Sequence, residues 1–185
     1  MRLDNKGFTL IELLATMLIL GIVMAVTIPN IIGISTQNKI TTYAEDAKKF
    51  KNTAEYLFRG DNTIEKPKNN GECIMVNLGY LHGSEYDNPP YGGEYLMDSS
   101  FVVMKKEHNQ YVYFVQLIEE LPDDGGYRGF KLLKSSKLDG DKYLDQLTET
   151  ANLNDYLELT TSTTEIPAPA HCVVKKVYYA DVDAA

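Results

Sequence analysis

Residues 6–28 read KGFTLIELLATMLILGIVMAVTI, and this stretch decides the fold. From Phe8 to Ile28 a helix would be about 30 Å long, enough to cross the apolar core of a bilayer. Glu12 is the one charged side chain in that span. A carboxylate there is costly unless it is paired, so Glu12 indicates a function and a partner cation. No Lys or Arg follows within two helical turns, so the best candidate is a free N-terminal ammonium, created by a cut before Phe8.

The residues around that cut carry a family resemblance. Lys6-Gly7 followed by Phe8 and Glu12 resembles the prepilin peptidase site of type IV pilins and pseudopilins. The family pattern is a short basic leader ending in Gly, then Phe, then Glu at the fifth mature position, then an apolar helix. The resemblance implies cleavage between Gly7 and Phe8, N-methylation of Phe8 and a role for Glu12 in assembly.

Three simpler interpretations of the N-terminus fit less well. A secretory signal peptide places its small-residue cleavage site after the apolar region, whereas Gly7 precedes it. A plain signal anchor gives no reason for Glu12. A buried helix of a soluble protein is disfavoured by the length of the uncharged run.

The sequence predicts one modest globular region after the apolar segment. The resemblance implies an α+β class, the type IV pilin fold, in which a long N-terminal helix packs on an antiparallel β-sheet head. The expected divisions are a leader at 1–7, a stalk helix at 8–59, of which 8–28 is the transmembrane segment and filament core, and a head at 60–185.

The stalk helix is predicted from periodicity. Apolar residues repeat at helical spacing, and this stripe requires a sheet to lie against; its members are Ile40, Tyr43, Ala44, Ala47, Phe50, Ala54, Leu57 and Phe58. Pro29 removes a backbone donor and crowds the preceding turn, so we expect a kink or local melting there, with Gly33 as a second weak point.

Alternating β-branched and aromatic runs predict the sheet. The expected strands are Cys73–Leu78, Ser100–Lys106, Gln110–Ile118, Gly129–Lys134 and Val173–Tyr179, with a hairpin turn at residues 107–109. The second of the long strands, Gln110–Ile118, has two apolar faces and is expected to be central. A short helix capped by Asp139 or Asp141 is expected across Tyr143–Leu153, and a surface loop at Thr160–Ala170.

The two cysteines, Cys73 and Cys172, are compatible with one disulfide in an exported protein, which could stabilise the fold by roughly 4–5 kcal/mol on the chain-entropy model. Two free buried thiols remain the alternative. Related pilins often join the C-terminal part of the head to the sheet by a disulfide. In this chain the first cysteine falls earlier, in the segment between helix and sheet.

Composition gives no indication of catalysis, a metal or a cofactor. The three histidines are scattered, and Asp139-Gly-Asp141 is only half of a calcium loop, so we expect no enzyme. The chain has 18 basic and 26 acidic residues, and loss of Arg2, Asp4 and Lys6 with the leader leaves a net charge of −9. That charge offers no general attraction for DNA, and the lysine pairs are interpreted as solvated surface.

Two functions remain on these grounds. The first is a structural subunit, major or minor, of a type IV pilus that serves adhesion, motility or biofilm formation. The second is a pseudopilin of a type II secretion or competence DNA-uptake system. For either, the resemblance implies a prepilin peptidase, other pilin subunits and an assembly machinery in the cytoplasmic membrane. The pilus subunit would begin as a single-pass membrane precursor and end in an extracellular pilus.

Overall fold

The computed structural model describes one long helix and a mixed sheet. The described residues are 9–81, 86, 89–123, 125–139, 146–156, 165–166 and 170–179, with the backbone alone described at 26–33 and 165–166. The helix α1 is Leu10–Gly60. The chain divides into two compact units, and the boundary between Lys39 and Ile40 falls within α1.

The second half of α1 belongs to the same unit as the sheet, and it buries the predicted stripe. Six of the stripe residues are at most 1% exposed: Tyr43, Ala44, Ala47, Phe50, Ala54 and Phe58. Ile40 and Leu57 are half-buried against the same core. The periodicity prediction is confirmed, and α1 ends at Gly60, where Asp61-Asn62 follow. The helix continues through Pro29 and Gly33 without interruption, and a kink at this place stays a prediction.

Eight strands of the described residues form one sheet. They are β1 Glu72–Asn77, β2 Glu94–Tyr95, β3 Phe101–Glu107, β4 Gln110–Glu120, β5 Tyr127–Lys134, β6 Leu147–Thr150, β7 Glu165–Ile166 and β8 Cys172–Tyr178. Their order is β6-β5-β4-β3-β1-β8-β7, and β2 pairs with β4. The pairs are antiparallel except that β8 runs parallel to β1. The α+β class is therefore confirmed.

The central strand β4 has the two apolar faces that its sequence predicts. Tyr113, Val115 and Leu117 join the core cluster that contains the α1 stripe. Phe114 joins a second cluster with Phe101 and the two cysteines. The β3–β4 hairpin turns at His108 and Asn109, which have φ of 49° and 63°. A two-residue turn with positive φ at both positions matches the right-handed twist of the strands it joins.

The structure departs from two of the predicted elements, the short helix at Tyr143–Leu153 and the loop at Thr160–Ala170. Within the expected helix Tyr143–Leu153, the described residues contain the strand β6 at Leu147–Thr150, which pairs with β5. Without β6, the strand β5 would be an unpaired edge of the sheet. The pairing of β6 with β5 and the packing of the half-buried Leu147 therefore outweigh the weak helical pattern of residues 143–153. Asp139 follows a 3-10 turn with extended backbone rather than capping a helix, and Asp141 lies outside the described residues. Inside the expected loop Thr160–Ala170, residues Glu165–Ile166 form β7.

Candidate assembly site

The start of α1 is fixed by hydrogen bonds between Thr9 and Glu12. The backbone N–H of Thr9 donates to Glu12 Oε2 at 2.9 Å, and the Thr9 hydroxyl donates to the same oxygen at 2.8 Å. The Glu12 N–H in turn donates to Thr9 Oγ1 at 3.4 Å. This reciprocal arrangement is a capping box, with Thr9 as N-cap and Glu12 at the third helical position. It holds the carboxylate back toward the N-terminal end of the helix.

The first half of α1 exposes apolar side chains on every side. From Leu10 to Met24 each large apolar side chain is between 51% and 78% exposed. These are Leu10, Ile11, Leu13, Leu14, Met17, Leu18, Ile19, Leu20, Ile22, Val23 and Met24. The polar Thr16 directs its hydroxyl inward, to the carbonyl of Leu13 at 2.8 Å. A helix that is apolar all round needs an apolar environment, either lipid or other helices.

The predicted site residues are only partly covered by the described part of the chain. Gly7 and Phe8 lie outside it, so the cut and the Phe8 ammonium stay predictions. Pro29 and Gly33 are helical in backbone. Among the described residues, no helix combines the length and the apolar character that are needed to cross a membrane.

The two cysteines meet across neighbouring strands. Cys73 of β1 and Cys172 of β8 form a disulfide with a Cα–Cα distance of 5.8 Å, within the usual range for such a bond. Both are at most 2% exposed, and they pack with Met75, Phe101 and Val103. The bond links residues 99 apart in sequence, and it fixes the C-terminal strand to the first strand of the sheet.

A partly buried polar contact that the sequence did not indicate joins the second half of α1 to the sheet. The Tyr95 hydroxyl donates to Asp46 Oδ2 at 2.8 Å. Tyr43 Oη lies 3.0 Å from the carbonyl oxygens of both Leu117 and Arg128. Burial raises the pKa of Asp46 and of both tyrosines, because the charged forms lose solvation. These bonds fix how the second half of α1 lies against β2, β4 and β5, which contain Tyr95, Leu117 and Arg128.

Among the described residues, no group of three or more His, Cys, Asp or Glu side chains is placed to hold a metal ion. The residues whose arrangement suggests a role in assembly are Glu12 with its cap and the exposed apolar side chains between Leu10 and Met24.

One comparison with known proteins covers the part of the chain that contains Glu12. The family model for the prokaryotic N-terminal methylation motif matches residues 2–28. No curated protein and no solved structure matches the chain. The chain thus begins with the class III signal sequence of type IV pilins and pseudopilins. This motif is the substrate of prepilin peptidase and marks a membrane-anchored precursor that is processed for assembly.

Proposed function

We propose that this chain is a structural subunit, major or minor, of a type IV pilus, and that it assembles through the first half of α1 after cleavage between Gly7 and Phe8. The observation that carries the proposal is the helix from Leu10 to Met24, apolar on every side and preceded by the methylation motif. Such a motif indicates a type IV pilin-like protein and a structural rather than an enzymatic role.

The precursor would use residues 8–28 as a single membrane span. In the filament the same apolar surface would pack against the helices of other subunits, and the lipid would be exchanged for protein. Each subunit then buries Glu12, whose charge needs a partner in an apolar surrounding. The ammonium of Phe8 supplies that cation once the leader is gone, whereas an uncut leader leaves a neutral amide.

The capping box strengthens this assignment. A carboxylate that accepts the N–H of Thr9 is held one residue from Phe8, before any partner subunit arrives. Little side-chain entropy is then lost when a cation pairs with it. Glu12 would thus have two roles, as the cap of α1 in the single subunit and as the anionic partner in the filament.

The processing can be tested on the native protein. Intact-mass analysis of purified filaments should give a chain that begins at Phe8 and carries one added methyl group. A mature chain that still begins at Met1 would refute the proposal. Gly7→Ala should be cut in part, while a bulky residue at position 7 should leave the precursor in the membrane.

The choice between a pilus and a pseudopilus can be tested in a deletion strain, since both kinds of subunit carry the motif. Electron microscopy should show that surface filaments are lost or greatly reduced and that they return with the wild-type gene. Normal filaments combined with a defect in protein secretion or DNA uptake would instead identify a pseudopilin.

A further inference from the structure

Three hollows on the globular unit share lining residues around the segment between α1 and β1, and we call them together the basic groove. Their volumes are about 430, 260 and 290 Å³, and Lys66 borders all three. Six basic side chains line this basic groove: Arg59, Lys66, Lys68, Lys106, Lys175 and Lys176. The acidic residues of the groove are Asp61, Glu65 and Glu72. A surplus of positive charge is therefore concentrated at one place on a mature chain of net charge −9.

The sheet assembles this groove from distant parts of the sequence. β1 lies between β3 and β8, with Cys73 opposite Lys105 and Ile74 opposite Lys176. The lysine pairs at 105–106 and 175–176, separated by about 70 residues, thus flank the same strand. Lys106 Nζ donates to the carbonyl of Lys68 at 2.8 Å, and this bond ties β3 to the loop before β1.

Two of the three acidic residues of the groove, Glu72 and Asp61, already have internal partners. Glu72 accepts hydrogen bonds from the backbone N–H groups of Lys68 and Asn69 and pairs with Lys175 at 3.0 Å. Asp61 accepts from the N–H and the hydroxyl of Thr63. These bonds shape the loop, and they orient the two carboxylates toward the protein itself.

The other end of β4 carries the opposite charge. Glu94 of β2 lies directly opposite Glu120 of β4, and both are exposed. Asp123 follows in the exposed turn after β4, with φ of 58°. Like charges directly opposed on a ladder are unfavourable, and a cation brought between them would relieve this. We call Glu94, Glu120 and Asp123 the acidic end.

The basic groove and the acidic end lie at opposite ends of one strand. Tyr111 borders the groove, and Glu120 is nine residues further along β4, which corresponds to about 30 Å. A contact between two different patches of identical molecules is heterologous, and it repeats from copy to copy as an open filament unless the rotation between copies closes it into a ring. Such a contact is therefore compatible with an open filament, whereas a contact between two identical patches joins only two copies.

We propose that the basic groove of one copy binds the acidic end of the next copy in the filament. The proposal rests on the function proposed above, and it adds a second contact to that of the helices. Globular units of net negative charge repel one another when packed side by side. Complementary patches offset that repulsion and fix the orientation of each added subunit.

A charge-swap experiment on the full-length chain tests this contact. The groove variant is Lys66→Glu with Lys68→Glu, and the end variant is Glu94→Lys with Glu120→Lys. The readout is the mass of sheared filaments relative to membrane-bound subunit, at low and at high salt. Each variant alone should reduce filament yield roughly ten-fold, since each puts like charges at the contact. The two variants combined should restore most of the yield.

A matched control changes charge elsewhere. Lys131→Glu with Lys137→Glu, both exposed, alters net charge as the groove variant does and should leave filaments near the wild-type level. Circular dichroism and thermal melting of each variant in detergent should match wild type, which separates a lost contact from a lost fold.

Three outcomes would refute the proposed contact between copies. They would leave the proposed function intact, because wild-type filaments still form in each case. One is normal yield from the groove or the end variant, and another is a combined variant no better than either alone. The third is a groove variant with normal filaments that loses binding to a DNA probe, which would assign the groove to a soluble polyanion. Failure of the function itself would appear as a wild-type strain without filaments that contain this chain.

Discussion

The two halves of α1 share one helical geometry and differ in what covers them. Between Tyr43 and Phe58 the apolar residues form a stripe, and the sheet of the same chain buries it. Between Leu10 and Met24 the apolar residues surround the helix and stay exposed. A stripe is matched to a partner on one side, whereas an apolar cylinder is matched to an environment on all sides. The second half of α1 therefore contributes to the stability of the globular unit, whereas the apolar side chains of the first half are available for contacts with lipid or with other chains.

The largest effect should come from opening the disulfide of the globular unit. Changing Cys73 and Cys172 together to Ala removes a link across 99 residues, and the chain-entropy model gives a loss of about 4–5 kcal/mol. The free energy of unfolding of the mature chain in detergent, measured by urea titration, should fall accordingly. Both residues are buried, so mild reductant should leave the wild-type bond intact while the chain is folded. An unchanged urea midpoint would show that the sheet holds β8 without the bond.

One substitution in each half of α1 should show directly that the two halves have different roles. Phe50 is fully buried, with its ring 6.2 Å from that of Tyr86, and Phe50→Ala should lower the free energy of unfolding by about 3–5 kcal/mol. Leu18 is 67% exposed in the single chain, so Leu18→Ala should leave the urea midpoint unchanged. The same Leu18→Ala should weaken filaments, because it removes apolar area from the proposed helix contact. Equal loss of folding stability in both variants would contradict the division.

Within the first half of α1, the most specific test is a substitution of Glu12. Glu12→Gln can keep the capping box, since Gln is accepted at that position, while it removes the charge. Loss of a buried charge partner costs about 3–5 kcal/mol, which corresponds to roughly a hundred-fold or greater loss of incorporation into filaments. Leader cleavage, membrane insertion and the stability of the globular unit should stay close to wild type.

The control for this variant is Glu45→Gln, which removes an exposed charge from the other half of α1. It should change filament yield little. Comparison with Glu12→Ala measures the cap separately, because Ala removes both the box and the charge. Wild-type amounts of filament from Glu12→Gln would refute the pairing with the Phe8 ammonium.

Local periodicity was enough to predict much of this fold. The α1 stripe repeats at 3.6 residues, and β3, β4, β5 and the turn at His108-Asn109 follow from alternation and turn composition. The strand β6 was missed because its pairing with β5 is a tertiary contact that outweighs the local helical pattern. In the same way, nothing near Asp46 indicates Tyr95 as its partner.

The candidate sites also differ in whether local sequence or tertiary contacts create them. The motif at residues 6–12 is contiguous, so both the cut and Glu12 could be proposed from sequence. Its capping box could also have been identified there, because Thr9 and Glu12 have the required spacing. The basic groove could not, because Lys66, Lys106 and Lys176 approach one another only through the order of the strands. A net charge summed over the chain conceals such a local surplus.

The smallest expected effect concerns Glu72, at the edge of the basic groove. Asn69, Lys175 and the backbone N–H of Lys68 donate to its carboxylate, and together they lower its pKa to about 2. In an unfolded chain the pKa of a glutamate is about 4.3. A carboxyl group with a lowered pKa stabilises the fold at pH values above its pKa in the unfolded chain, and this contribution is lost as the pH falls from about 4.3 toward about 2.

Glu72→Gln should therefore lower the urea midpoint at pH 7, and the difference from wild type should shrink steadily below about pH 4. Glu65→Gln, which changes an exposed neighbour in the same segment, should lower the urea midpoint at pH 7 less than Glu72→Gln does. A Glu72→Gln difference that is the same at pH 7 and pH 3 would mean that packing, and not the ionised carboxylate, closes the loop before β1.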